Sequence, residues 1–263
     1  MGPVGLSAKQ ADRDDWSEHW ESYADTAGEN PAQIMRHKLI LSAISRMPGK
    51  VGLLLDIGSG QGDFLQRAAS CHIAGQLVGL ELSKAGVTIS QAKVPEATFI
   101  QADLFNPPQA LREYTGRADV AVCSEVIEHV DNPAGFLQSL KTYLKPGGRL
   151  IVTVPGGPMS AFDHHIGHRK HFDAKSVAAV LKSAGFAVDR IQLAGFPFFN
   201  LYRITVILRG KKLIDDAKAG TAHGRPSAFA LLAMRVFRFL FRWNAGDSRF
   251  GWQVVAFARK LEP

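Results

Sequence analysis

The sequence is poor in cysteine and has no long apolar run. Its 263 residues contain only Cys71 and Cys123, both in stretches typical of a buried core. We therefore expect no disulfide framework and a reducing compartment, the cytoplasm. No stretch of roughly 18 or more apolar residues is free of charge, so no transmembrane helix is expected. The first residues lack a basic segment followed by an apolar one, and no signal peptide is expected.

Acidic residues are scarce in one segment. Between Phe196 and Phe250 there are ten lysines and arginines against three acids, which accounts for the whole net charge of +7. In the stretch SAFALLAMRVFRFLFRW, Arg235, Arg238 and Arg242 share one side of an otherwise apolar helix. This pattern fits a helix packed on the domain with its arginines in water. It also fits a substrate lid or an interfacial helix that contacts a membrane or lipid.

Strand-like and helix-like patterns alternate from Val51 onward, and this alternation predicts an α/β fold with a parallel sheet covered by helices on both faces. The stretch GWQVVAFARK predicts a last strand at the C-terminal end. We divide the chain into an N-terminal tail and lid helix (1–32), a core (33–195), a basic aromatic helical insert (196–250) and the final strand (251–263).

A glycine-rich turn follows the first strand in LLLDIGSGQGDF. Gly58, Gly60 and Gly62 predict a tight turn that brings backbone N–H groups close to a ligand. Such a turn suits either a dinucleotide or S-adenosylmethionine. Asp56, two residues before the first glycine, favours a ligand with a positive ammonium or sulfonium group over a pyrophosphate.

Polar residues also follow the next three strands. Glu81 ends the second strand, where a carboxylate can accept both hydroxyls of a ribose. Asp103 ends the third strand beside Leu104, and Ser124 follows the fourth. One such residue alone is as consistent with a helix cap as with a ligand contact. Together they predict one binding site at the carboxyl edge of the sheet.

The run LLLDIGSGQGDF…LVGLELS…FIQADLF…ADVAVCSEVIEHVDNP…LKPGGRLIVTVP resembles the class I S-adenosylmethionine-dependent methyltransferases. EVIEHV with a downstream GHRKHF is most similar to the branch with the ubiquinone-biosynthesis O-methyltransferases and small-molecule tailoring enzymes. The resemblance implies a Rossmann-like seven-stranded sheet whose last strand is antiparallel, and S-adenosylmethionine as cofactor. It implies these cofactor-binding residues: Arg36, Asp56, Gly58, Gly60, Glu81, Leu82, Asp103, Leu104 and Ser124.

An oxygen acceptor needs a general base, and histidine is the usual one near neutral pH. His129 follows the fourth strand, and four histidines crowd FDHHIGHRKHF after the fifth. We name His129, His165 and His168 as catalytic candidates and assign no metal. As an alternative, Glu125, Glu128, His129 and one later histidine offer ligands for a divalent metal, as in some relatives bearing E-x-x-E-H.

The sequence thus predicts a methyltransferase that acts on a small molecule, with an oxygen of an apolar or amphipathic compound as the acceptor. One alternative is methylation of RNA, which the pI of about 9.5 suggests. No recognised nucleic-acid-binding motif supports it. The other alternative is a regulatory protein that binds the cofactor without catalysis. The sequence does not indicate the acceptor's identity or the oligomeric state.

Overall fold

The computed structural model describes residues 30–210 and 228–262, in which strands and helices alternate. Seven strands lie in these ranges: β1 (Leu53–Ile57), β2 (Gln76–Glu81), β3 (Thr98–Gln101), β4 (Ala118–Ser124), β5 (Leu144–Pro155), β6 (Phe186–Ala194) and β7 (Gln253–Lys260). The described helices are α1 (Pro31–Ser45), α2 (Asp63–Ser70), α3 (Lys84–Lys93), α4 (Pro133–Lys141), α5 (Ala161–His165), α6 (Ala174–Ser183), α7 (Phe198–Leu208) and α8 (Ala228–Leu240). Short 3₁₀ helices span Gln109–Tyr114, Ile127–His129 and Phe241–Trp243.

All seven strands form one sheet in the order β3-β2-β1-β4-β5-β7-β6. β1 pairs in parallel with β2 and β4, whereas β7 is antiparallel to both β5 and β6. The predicted Rossmann-like, mostly parallel sheet with an antiparallel last strand is therefore confirmed. The strand order reverses between β1 and β4, which is where open α/β sheets bind their ligands, outside the carboxyl ends of the strands.

β1 is buried along its whole length, as expected for a parallel strand covered on both faces. Leu54 belongs to an apolar cluster with Ile40 and Ile44 of α1, and Leu55 belongs to the cluster on the other face of the sheet. Asp56 is buried in the same strand. Burial of a carboxyl group costs free energy, so this residue is better explained by function than by packing.

α1 begins at Pro31 and is capped by Asn30. The side chain of Asn30 accepts a hydrogen bond from the Ala32 N–H at 2.9 Å, and Pro31 lies in the first turn. Ile40 and Ile44 anchor the helix in the core. Helix α1 therefore crosses the division placed at residue 32, and residues 1–29 of the predicted tail lie outside the described residues.

One local prediction is wrong. Cys71 is exposed, directly after α2, whereas Cys123 is buried in β4. Cys71 follows the last residue of α2, so the apolar residues near it in the sequence do not place it in the core. β5 begins at Leu144, and its residues 145–148 form a bulge, because Leu144 pairs with Ala118 whereas Arg149 pairs with Val120.

The insert between β6 and β7 supplies α7 and α8, and residues 211–227 between these helices lie outside the described ranges. Asn200 fastens α7 to the start of β7, because its Nδ2 donates to the Phe250 carbonyl at 2.7 Å and its Oδ1 accepts from the Trp252 N–H at 3.1 Å. α8 contacts α1 and α7. None of the described helices has the length and apolar character that a membrane crossing requires.

Candidate active site

The glycine turn links β1 to α2 at the carboxyl edge of the sheet. Gly58, Gly60 and Gly62 all have positive φ angles, a conformation that favours glycine. The N–H groups of Gly58 and Ser59 donate to the Leu80 carbonyl at 2.8 and 3.0 Å. A Cβ atom at Gly58 would lie 2.5 Å from a methyl of Val126. The turn is therefore held tightly between the ends of β2 and β4.

Glu81 is held in place by the backbone around it. One carboxylate oxygen accepts from the Gly60 N–H and the other from the Ser83 N–H, both at 2.9 Å. These two hydrogen bonds fix the orientation of the carboxylate at the end of β2. The predicted contact of Glu81 with both hydroxyls of a ribose stays a prediction.

Asp56 lies beneath the same turn and is only 3% exposed. Burial, and then the negative charge of Glu81, raises the pKa of the Asp56 carboxyl to about 8. Two neighbouring carboxyl groups that repel each other are a good receptor for a positively charged ligand. This electrostatic arrangement fits the ammonium and sulfonium groups of S-adenosylmethionine.

The residues predicted to hold the adenine differ in exposure. Leu82, which follows β2, is 51% exposed and offers an open apolar surface beside Glu81. Leu104 is 4% exposed and belongs to the core. Asp103 accepts from the Phe105 N–H at 2.9 Å, which orients its side chain after β3. Leu82 therefore provides the exposed apolar surface for a flat ring, and Leu104 packs behind the site.

A polar network joins α1, β4, β5 and β7. The Thr153 hydroxyl donates to Glu125 at 3.2 Å and lies 2.8 Å from the Ser124 hydroxyl. Gln253 donates to the same Glu125 oxygen at 3.0 Å, and Arg36 lies 3.6 Å from the other oxygen. Because Thr153 has one hydroxyl proton, Ser124 donates to Thr153 and keeps its lone pairs for a ligand donor.

Arg36 is among the predicted cofactor-binding residues, and the structure pairs it with Glu125. Glu125 has a φ of 56°, an uncommon conformation for a residue other than glycine. Such a backbone outlier is typical of functional sites. The sequence analysis assigns no role to Thr153 or Gln253, because each lies in a stretch interpreted only as a strand.

Three histidines and one carboxylate come together after β4 and β5. The rings of His129 and His168 lie 4.7 Å apart, edge to face. His168 Nδ1 lies 3.2 Å from His171 Nε2, and His171 Nδ1 lies 3.0 Å from the Gly157 carbonyl oxygen. Asp163, buried in α5, lies beside His168 and His171 at 4.0 and 3.8 Å. We call these four residues the histidine cluster.

The structure brings two of the three predicted catalytic histidines together. His129 and His168 belong to the histidine cluster, whereas His165 is exposed at the end of α5. His171 lies in the cluster, although the catalytic assignment from sequence left it out. Asp163 and His165 are two positions apart in α5, so their side chains point in different directions. Asp163 is buried toward the cluster, whereas His165 is exposed.

His168 and His171, the two histidines of the cluster that follow β5, are neutral near pH 7. Burial lowers the pKa of His168 to about 4, although the negative charge of Asp163 partly opposes this effect. Burial also lowers the pKa of His171, although the hydrogen bond to the Gly157 carbonyl partly opposes this effect. A neutral imidazole carries a lone pair and can accept a proton.

Glu128 is completely buried beside His129, and neither of its carboxyl oxygens has a hydrogen-bond partner among the described residues. Burial, and then the charge of Glu125, raises its pKa well above the usual range. Glu128, His129 and His168 place one potential ligand atom each within 4.8 Å of one another, so three residues of the metal alternative come together, and Glu125 is not in this group. The second such group, Asp163 with His168 and His171, already faces the positive charge of Arg203.

Comparison with known proteins gives a consistent result. Residues 32–191 match a family model described as a methyltransferase domain. The chain is 31% identical over 182 residues to a ubiquinone biosynthesis O-methyltransferase of Shewanella halifaxensis, a match that covers 63% of this chain and 76% of that protein. It is 26% identical over 202 residues to an uncharacterised protein encoded in transposon TN4556 of Streptomyces fradiae, covering 74% of this chain and 57% of that protein.

The fold also occurs in solved structures. One is phosphoethanolamine N-methyltransferase 2 of Haemonchus contortus, in complex with phosphomonomethylethanolamine and S-adenosylhomocysteine. The similarity has a TM-score of 0.60 at 20% identity and covers 100% of this chain and 62% of that one. At 20% identity the similarity shows a shared fold only. In this fold the parallel strands β1 to β5 end at the same edge of the sheet.

Proposed function

The chain belongs to the methyltransferase-domain family and uses S-adenosylmethionine, and from this premise we propose that it methylates an oxygen atom of a small apolar or amphipathic molecule. The observation that carries the proposal is the histidine cluster, in which His129, His168 and His171 lie close together after β4 and β5. Burial lowers the pKa of His168 and His171, and a neutral imidazole can accept the proton of a phenolic hydroxyl. The name of the ubiquinone biosynthesis relative is consistent with this class of acceptor.

The cofactor-binding residues are those at the ends of the first four strands. Asp56 and Glu81 face the positive end and the ribose of the cofactor, and Leu82 packs against the adenine. Asp103 accepts from the adenine edge, and Ser124 offers lone pairs to the ammonium group. S-adenosylmethionine supplies a methyl group on a positively charged sulfur, which becomes neutral when the methyl leaves.

His168 acts as the general base in this proposal. With S-adenosylmethionine bound, the methyl group would pass to the acceptor oxygen and the sulfur would leave as a neutral sulfide. The hydroxyl proton passes to a ring nitrogen of His168. The protein contributes chiefly alignment and the exclusion of water, as expected for an in-line displacement.

We propose that the described helices of the insert, α7 and α8, cover the acceptor. Tyr202 of α7 packs against Phe237 and Phe241, with ring centroids 5.3 and 5.9 Å away. Burial raises the pKa of Tyr202, and the charges of Arg36 and Arg203 partly oppose this rise. Tyr202 is therefore close to both arginines and brings the aromatic side of the insert to the catalytic edge.

A label-transfer assay tests the choice of acceptor. The protein is incubated with S-adenosylmethionine carrying a labelled methyl group and, separately, with 4-hexylcatechol, 4-hexylaniline or total RNA, each with and without a chelator. We expect label in the catechol product alone. Label in RNA, or in the aniline alone, would contradict the proposal, and no transfer to any acceptor would favour a non-catalytic cofactor-binding protein. Loss of activity with the chelator would favour the metal alternative.

The affinity for S-adenosylmethionine is expected to rise with pH, because the cation binds best when Asp56 is ionised. Between about pH 6 and about pH 8 the ionised fraction grows by up to roughly tenfold per pH unit, and the dissociation constant should fall accordingly. Calorimetric titrations across this range measure the effect. Asp56→Asn should weaken binding and flatten the pH dependence, and an unchanged slope in that variant would contradict the role of Asp56.

The same pKa shift affects the unliganded protein. The folded pKa of Asp56 is about 8 and the usual value is 3.8. The group therefore contributes stability below its unfolded pKa, and this contribution is lost as the pH rises through about 8. The free energies of unfolding of the wild type and Asp56→Asn, measured by denaturant titration, should therefore diverge as the pH rises from 3.8 to about 8.

We further propose that α8 contacts an anionic membrane surface. Leu232, Val236 and Phe239 of α8, with Trp243 directly after it, are exposed and follow one another at helical spacing along one face. Arg235, Arg238 and Arg242 are exposed along one side of this apolar stripe. An exposed apolar stripe bordered by arginines is typical of helices that lie in the plane of a membrane interface.

Replacing Phe239 and Trp243 together by serine is expected to lower binding to phosphatidylglycerol vesicles by at least about tenfold, because each buried aromatic contributes about 1.5–3 kcal/mol. Vesicle flotation measures the bound fraction, with phosphatidylcholine vesicles as the arm without anionic lipid. Leu261→Ser is the matched control, since Leu261 is 59% exposed and follows the end of β7 that is farther from the insert. Equal flotation of the wild type with and without anionic vesicles would refute the membrane contact.

A further inference from the structure

A chain of hydrogen bonds fixes the proton positions on two rings of the histidine cluster. The Gly157 carbonyl oxygen can only accept, so His171 Nδ1, 3.0 Å away, must carry the proton of that bond. A neutral imidazole has one N–H, and His171 Nε2 therefore carries a lone pair. His168 Nδ1, at 3.2 Å, must donate to it. By the same reasoning His168 Nε2 is left with the lone pair.

Asp163 acts on this pair of rings by its charge. Its carboxylate lies 4.0 Å from His168 Nδ1 and 3.8 Å from His171 Nε2, distances too long for hydrogen bonds. Burial would raise the pKa of Asp163, but Arg203 and hydrogen bonds from Ser160 hold it below its usual range. The carboxylate is therefore ionised and favours positive charge on His168 when that ring gains a proton.

Asp163 is itself held from two directions. The Ser160 N–H and hydroxyl both donate to one oxygen at 2.7 Å, in the capping box of α5. Arg203 donates to both oxygens at 2.9 Å from α7. The side chains of Asp163 and Arg203 are 1% and 14% exposed. The ion pair thus connects the insert to the histidine cluster through a mostly water-free contact.

We propose that His171, Asp163 and Arg203 are positioning residues for His168: His171 keeps it in the tautomer with Nε2 as the proton-accepting atom, and Asp163, held by Arg203, stabilises the positive charge that the ring gains with a proton. This inference rests on the proposed role of His168 as the base. Because Arg203 belongs to α7, the insert helps to position His168 in addition to covering the acceptor. If α7 moves away from α5, Asp163 loses the cation that holds it.

The tautomers are measurable without any acceptor, by long-range ¹H–¹⁵N spectra of the full chain with labelled histidine. In the wild type we expect His168 and His171 both to be protonated on Nδ1, the less common form of free histidine. His171→Phe removes the acceptor for the His168 N–H, and His168 should shift toward the form protonated on Nε2. A wild-type His168 protonated on Nε2, or an unchanged His168 signal in His171→Phe, would overturn the proposal.

Kinetics with the Arg203 variants complete the test. With 4-hexylcatechol, Arg203→Met is expected to lower kcat about tenfold, Arg203→Lys should restore most of it, and Asp163→Asn should match Arg203→Met. Binding of S-adenosylmethionine by calorimetry should not change in any of the three. The exposed Arg112→Met is the matched control. Equal losses in Arg203→Lys and Arg203→Met, or a wild-type kcat in Asp163→Asn, would refute positioning, whereas an inactive wild type with the predicted tautomers would refute only the proposed acceptor.

Discussion

Replacing Glu81 by alanine is expected to weaken binding of S-adenosylmethionine by roughly 100-fold or more. The variant loses two hydrogen bonds from the ribose to a charged group, each contributing about 1.5–3 kcal/mol. It also frees the N–H groups of Gly60 and Ser83, which Glu81 holds at 2.9 Å. The glycine turn and the end of β2 would then lose the link that sets their spacing.

Isothermal titration calorimetry of the variant measures this loss directly. Glu81→Gln should fall between the wild type and the alanine variant, because the amide oxygen still accepts hydrogen bonds but carries no charge. Glu96→Ala removes an exposed carboxylate from the loop before β3 and serves as the control. An affinity of Glu81→Ala within a factor of about two of the wild type would show that the ribose binds elsewhere.

Replacing His168 by alanine is expected to lower kcat with 4-hexylcatechol by about 100- to 10,000-fold, the usual contribution of a general base. KM and the affinity for S-adenosylmethionine should change little, because the ring acts on the proton in the transition state. The pKa of His168, lowered to about 4 by burial, keeps the ring unprotonated at neutral pH. Steady-state kinetics at about pH 7 measure the effect.

His165→Ala is the matched control for this variant. It removes a histidine from the same loop region, but His165 is exposed and lies outside the histidine cluster. Its kcat should stay close to that of the wild type. A large loss of kcat in His165→Ala together with a small loss in His168→Ala would show that His165, and not His168, is the base. That result would contradict the proposed mechanism.

The fold was predictable because short local patterns in the sequence mark its strands and turns. Each strand of the parallel sheet is a short apolar run, and Gly58, Glu81 and Asp103 stand directly after such runs. Parallel strands end at one edge, so residues that are distant in sequence meet there without further information. For the same reason the position of Ser124 beside the other strand ends followed from its place at the end of β4.

Other parts of the site depend on contacts that no local pattern encodes. Gln253 reaches Glu125 across 128 residues, and Arg203 reaches Asp163 across 40. The choice between His165 and His171 depends on which way a five-residue helix faces. The placement of Arg36 against Glu125 depends on how α1 packs over β4. These arrangements arise from tertiary packing, and only the structure reveals them.

The most direct test of the proposed function is the identity of the atom that receives the methyl group. The protein is incubated with 4-hexylcatechol and S-adenosylmethionine carrying a ¹³C-labelled methyl, and the ¹³C spectrum of the product is recorded. We predict a single new signal in the range of methoxy carbons bonded to an aromatic ring. A labelled carbon in the range of ring-bound methyl groups, or no labelled product beside intact cofactor, would contradict oxygen methylation.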